Sequence, residues 1–238
     1  MRRISLVFLL VLAYPLEQSA FAQGDSKPVP MDQAAFHVPV FSNDYITLLS
    51  INIPPGRDTG FHTHYFDSVS VLLSAALRTN QVYGSSEISV PAIGNPPIPG
   101  RTSFTNVTEN GPHTHKATNV GPTPFHIISF VLKDREMIGV PVSDRSSIAG
   151  YTQIMDNERI RAWRVILEPA EVTGQIMQMA PGLRVYVRGG VLDEIVPGAA
   201  DRGMASHDGD FLWQEAGQPR AVKNTGTTVV EFVEFELK

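Results

Sequence analysis

The chain has 238 residues, 42% of them hydrophobic and 18% charged, with a formal net charge of −5 and no cysteine. Mild acidity without a basic cluster speaks against a nucleic-acid partner. The lack of cysteine excludes disulfides, a thiolate nucleophile and Cys-based metal sites, so stability must come from packing.

At the N-terminus, Arg2 and Arg3 precede an apolar run from Ile4 to Tyr14 that is too short to cross a bilayer, and Ala20-Phe21-Ala22 places small residues ahead of Gln23. This predicts a secretory signal peptide over 1–22 and an exported, periplasmic protein with no membrane span after cleavage. Residues 23–35 read as a flexible leader. Beyond them come short segments rich in Val, Ile, Phe and Tyr: Ile46 to Ile53, Ser68 to Leu73, Phe125 to Leu132, Ile160 to Leu167, Arg184 to Val187 and Val229 to Leu237. Pro- and Gly-containing turns separate them, and no amphipathic helix of three turns is evident, so the chain is predicted to be all-β.

The chain also repeats itself. Asn43 to Leu77 aligns with Asn157 to Val191 at a constant offset of 114, and Asn119-Val120-Gly121 aligns with Asn224-Thr225-Gly226 at 105. Such self-similarity predicts two tandem domains of one fold, over 36–134 and 150–238, joined by a linker over 135–149. The nine-residue shortening is placed near Ser85 to Arg101, a Pro-rich loop.

The histidines break the symmetry. His62 and His64, two residues apart on a strand, project to one face, and His115 follows some fifty residues later. In the second copy Ile176, Gln178 and Arg220 stand at these positions, and neither isoleucine nor a permanently protonated arginine can ligate a cation. One half is a candidate metal site, the other a copy without ligands.

Gly56, five residues, then His62-Thr63-His64, followed later by His115, three residues and Asn119, resembles the two motifs of the cupin superfamily, small β-barrels of the jelly-roll class. The resemblance covers both halves and implies two tandem cupin barrels, a bicupin whose C-terminal barrel is degenerate. It implies one divalent transition metal (Fe, Mn, Ni, Cu or Zn) on His62, His64 and His115. Cupins usually add a glutamate where this chain has Ser68. Asp67 is one residue early and would need a β-bulge to turn inward; it and His113 are the alternative ligands or supporting groups. His126 is expected to be structural, and His37 and His207 to lie at the surface. Phe61, Tyr65, Phe66 and Phe104 are candidates to line an apolar pocket. Arg220 would either hold a ligand carboxylate or pair with Glu215 or Glu231. The resemblance implies a metal-dependent dioxygenase acting on a small organic molecule; the alternatives are a non-catalytic periplasmic metal or ligand binder, and a scaffold pairing as a homodimer. No residue can be assigned as catalytic from the sequence.

Overall fold

The computed structural model describes residues 27–90, 97–133, 141–217 and 219–238. The segment expected as a signal peptide lies outside them, as do Pro91 and Pro96 of the long loop, residue 134 and residues 135–140 of the linker.

Each copy is a sandwich of two β-sheets. In the first copy one sheet runs His37–Ser42, Ile46–Ile53, Phe125–Leu132, Ser68–Leu72, Thr102–Thr105; the other runs Val29–Pro30, His62–His64, His113–Asn119, Arg78–Val82, Ile88–Ser89. The second copy repeats this with Tyr151–Asp156, Ile160–Leu167, Val230–Leu237, Gly182–Arg188, Phe211–Gln214 facing Ile176–Met177, Pro219–Asn224, Gly190–Ile195, Arg202–Ser206. Strands distant in sequence are neighbours in both, the pattern of a jelly roll. The all-β, two-barrel architecture agrees with the sequence expectation.

Three departures are informative. The leader is not free over its described part: Val29–Pro30 adds a parallel edge strand to His62–Thr63, and Met31 and Ala34 are buried. Nor does the shortening lie in one loop. Thr105 pairs with Ser68 and Gln214 with Gly182, whereas His115 pairs with His62 and Arg220 with Ile176. The offset therefore falls from 114 to 109 and then to 105, and the last four residues of difference coincide with a four-residue helix, Val107–Asn110. Thirdly, Ser143 and Arg145, from the segment read as a linker, are buried in the second copy.

Strand period two divides each strand between two cores. Ile127, Ser129 and Val131 face the first barrel's interior, whereas Ile128, Phe130 and Leu132 face outward with Ile46, Leu48, Val69 and Val71. That outer face packs on its counterpart, Ile160, Ala162, Leu183, Val185, Val233, Phe235 and Leu237. Each of these is the repeat-equivalent of a residue opposite it. The two copies thus join back to back about a pseudo-two-fold axis, with the equivalent rings Phe130 and Phe235 meeting edge to face at 5.0 Å. Both rings are fully buried. Replacing Phe130 by alanine should cost about 3–5 kcal/mol in urea unfolding. Because both copies share this core, tryptophan fluorescence from the second copy should shift its midpoint together with far-UV circular dichroism.

Candidate metal centre

His62, Thr63 and His64 form a three-residue strand paired antiparallel with His113–Asn119, in the register His62↔His115, Thr63↔Thr114, His64↔His113. On the outer face the Thr63 and Thr114 hydroxyls hydrogen-bond at 2.9 Å, locking that register. On the inner face His62, His64 and His115 bring one ligand nitrogen each to within 4.8 Å of one another, and Nε2 of His64 lies 3.1 Å from Nε2 of His115. Two nitrogens each ~2.0–2.1 Å from one cation stand about 2.9–3.4 Å apart for right-angle to tetrahedral ligation. The observed gap lies within that span.

The supporting groups leave the correct nitrogen free. His62 Nδ1 is 3.2 Å from the carbonyl of Gly60. A carbonyl only accepts, so Nδ1 carries the hydrogen and Nε2 the lone pair. Gly60 holds this position at φ +65°, left-handed backbone suited to glycine, with its N–H donated to Asp58. His64 Nδ1 faces the Ser68 hydroxyl at 3.4 Å. Ser68, at the position where a glutamate was expected, therefore supports an imidazole instead of offering a carboxylate.

All three imidazoles are held neutral. Burial, then the charges of His37 and His64, lower His62 to about 3. Burial, then His113, lower His64 to about 4. Burial, then His62 and His64, lower His115 to about 2. Three neutral imidazoles offering lone pairs to one point suit a borderline divalent cation, and the residues present fit such an ion.

The remaining candidates lie elsewhere. Asp67 is buried but stays outside the cluster: one oxygen accepts from the Val107 and Thr108 amides, and the other accepts from the Thr108 hydroxyl and Arg159 at 2.8 Å. It caps the inserted helix and ties the two copies together, so it is engaged away from a ligand's role. His113 is exposed, with its ring 5.0 Å from that of His115 and 6.3 Å from that of His64, and it is not part of the nitrogen cluster. His37 was expected at the surface but is buried, its ring 4.8 Å from His62 and its Nδ1 on the Ala35 carbonyl. Phe36 before it has φ +66°, a turn with no strong sequence signal, so nothing in the sequence revealed it. His126 contacts the Ser50 hydroxyl, and His207 is exposed beside Asp210. A cavity of about 310 Å³ reaches His64 and is walled by Met31, Tyr65, Phe66 and Val131. Of the four aromatics proposed for such a pocket, Tyr65 and Phe66 line it. Phe61 packs against Tyr83 and Lys116, and Phe104 joins the inter-barrel core.

In the second copy the same interior is filled. Arg220 stands where His115 does and donates to Gln178, the counterpart of His64, at 3.0 Å. Its acids are Glu194 and Glu234, whereas Glu231 pairs with Arg164 and Glu215 accepts from Trp213. Arg184 also binds Glu234, and Arg145 enters over Trp163 to engage Glu234, Glu236 and Gln178. Burial works against ionisation of Glu234, but Arg184, Arg220 and Arg145 outweigh it and hold its carboxyl far below the carboxylate range. At the glutamate position, a Cβ on Gly182 would lie 1.8 Å from the Phe235 carbonyl, so no side chain fits.

No protein-family model and no curated protein matches this sequence. Among solved structures the fold resembles AerE from Microcystis aeruginosa (TM-score 0.57, 8% identity, 86% of this chain and 98% of that one). It also resembles salicylate 1,2-dioxygenase from Pseudaminobacter salicylatoxidans (0.55, 10%, 84% and 76%) and the formate complex of Lactobacillus farciminis oxalate decarboxylase (0.53, 10%, 84% and 80%). At these identities the likeness establishes the fold alone: two tandem jelly-roll barrels of the cupin type.

Two outcomes follow. The three histidines keep pKa values below their unfolded value of about 6.5, so between that value and about 3 the unfolded chain binds more protons. Their contribution to stability is complete above pH 6.5 and is lost on acidification through that window. Chelated protein should melt at a lower temperature at pH 4.5 than at pH 7.5, and a His62→Gln/His115→Gln variant should show a smaller drop. Secondly, Glu234→Gln leaves buried guanidiniums short of charge and should cost about 3–5 kcal/mol in denaturant unfolding.

Proposed function

We propose that the first barrel holds one divalent transition metal on His62, His64 and His115 and receives a small organic molecule beside it, acting as a metal-dependent dioxygenase of an exported protein. The observation that carries this is the convergence of three neutral imidazoles next to a largely apolar cavity. When bound, such an ion supplies Lewis acidity and, if redox-active, electron exchange with dioxygen. The chain's own residues do the rest. Gly60 and Ser68 orient imidazoles, while Met31, Tyr65, Phe66 and Val131 present a largely apolar wall to the substrate, with Tyr65 and Phe66 on its solvent side.

The proposed export rests on the N-terminal pattern of Arg2, Arg3 and the apolar run after them. Among the described residues, no helix is long and apolar enough to cross a membrane. One observation favours the non-catalytic alternative, a metal or ligand binder. With the Asp67 carboxylate engaged by the helix and by Arg159, no carboxylate among the described residues joins the nitrogen cluster to move a proton. Proton-transfer chemistry such as isomerisation is therefore the less suited use of the site.

Elemental analysis of the purified protein should find about one metal per chain, and a His62→Ala/His64→Ala variant should lose it. Iron or manganese with substrate-dependent dioxygen uptake would support the oxygenase. A stoichiometric metal without uptake across a panel of phenols and enols would leave the binder. No metal after reconstitution would sink both metal readings.

A further inference from the structure

The first barrel has a second cavity, of about 320 Å³, on the inward face of Ser68–Leu72 and Phe125–Leu132. Leu72, Phe125 and Ile127 give it an apolar wall, Ser70 adds a hydroxyl, and Arg78 and Arg101 belong to it. Arg78 enters from Arg78–Val82, whose register (Arg78↔Asn119, Asn80↔Ala117, Val82↔His115) puts it on the face that carries His115. Its guanidinium sits 5.3 Å from the centre of the Phe125 ring and donates to the Asn80 side-chain oxygen. His64 and His115 both feel its charge. Both arginines line the cavity while remaining exposed to solvent.

Neither Arg78 nor Arg101 has a carboxylate partner among the described residues. In the second barrel the interior arginines are buried instead. There Arg145, Arg184 and Arg220 are matched by Glu194, Glu234 and Glu236. The Arg184–Glu234 pair occupies the positions of Ser70 and Ser129, which in the first barrel hydrogen-bond at 3.1 Å and leave space beside them. One barrel pairs its arginines with its own carboxylates; in the other, Arg78 and Arg101 line a cavity and pair with none among the described residues.

We infer that this cavity binds a small organic carboxylate, its charge taken by Arg78 and Arg101 and its apolar body by Leu72, Phe125 and Ile127. The guanidinium fork matches a carboxylate in two parallel hydrogen bonds, and the apolar wall selects against a bare inorganic anion. The inference deepens the reading of the first barrel as a ligand chamber, naming the class of molecule it admits, and does not require a metal to be bound.

The test is calorimetric titration of the full chain, chelated and metal-loaded, at low ionic strength. The probes are acetate, butyrate, benzoate and phenylacetate, each against its amide. At least one acid should bind, with its amide at least about tenfold weaker, since hydrogen bonds to a charged group contribute on that scale. Arg78→Met and Arg101→Met should each weaken binding about tenfold or more without changing melting temperature or metal content, and Arg78→Lys should fall between. The inference is overturned if no acid binds, if acid and amide bind alike, or if the methionine variants bind as well as the parent. Carboxylate binding by chelated protein that takes up no metal would uphold this site while the metal proposal fails.

Discussion

The apolar contact between the backs of the two barrels sets every other feature of the molecule. Once Ile128, Phe130 and Leu132 are committed to their counterparts in the other copy, period two sends Ile127, Ser129 and Val131 inward. The same rule sends Phe232, Glu234 and Glu236 into the second barrel, beside Val233 and Phe235 turned outward. Slipping Val230–Leu237 by one residue would turn Glu234 and Glu236 into the apolar interface and Val233 and Phe235 away from it, so the register is strongly specified. Chemistry on the inner faces could diverge because the outer faces did not.

The two interiors are alternative solutions to filling one scaffold. In the second, long charged side chains occupy the volume, and their cost of desolvation is offset only because each cation meets an anion and Gln178 bridges two of them. In the first, hydroxyls and imidazoles take up less room and carry no charge, so space remains. What is shared shows what is architectural: Asn119 and Asn224 make equivalent bonds, each amide donating to two carbonyls and each oxygen accepting from the glycine two residues on. That motif asparagine is a turn lock in both copies and serves a barrel with ligands and one without.

Much of this was legible in the sequence where the signal is periodic or repeated. The strands, the tandem copies and the common face of His62 and His64 follow from period two, and His115 from its place in the second motif. What was illegible depended on partners brought from far away. Asp67 looked like a stray candidate ligand because the helix it caps is an insertion with no counterpart in the other copy, where Pro181 stands in its place. Arg220 pairs with Glu234 and not Glu231 because strand parity along Val230–Leu237 turns Glu234 inward. Glu234 and Glu236 alternate with the outward Phe235, and acids on the inner face of a strand buried on both sides signal internal ion pairs. His37 gave no such signal, since its position depends on a left-handed turn at Phe36.

Arg145 makes the end of the sequence repeat a poor place to divide the molecule. It lies ahead of the first strand of the second copy, yet its guanidinium reaches the centre of that barrel between Glu234 and Glu236. A second barrel cut free at residue 150 would lose a cation from its middle while keeping both carboxylates. The covalent connection between the copies is therefore also an internal counter-ion, and the physical boundary of the second folding unit lies upstream of Ser143, whose amide and hydroxyl bind the same Glu236.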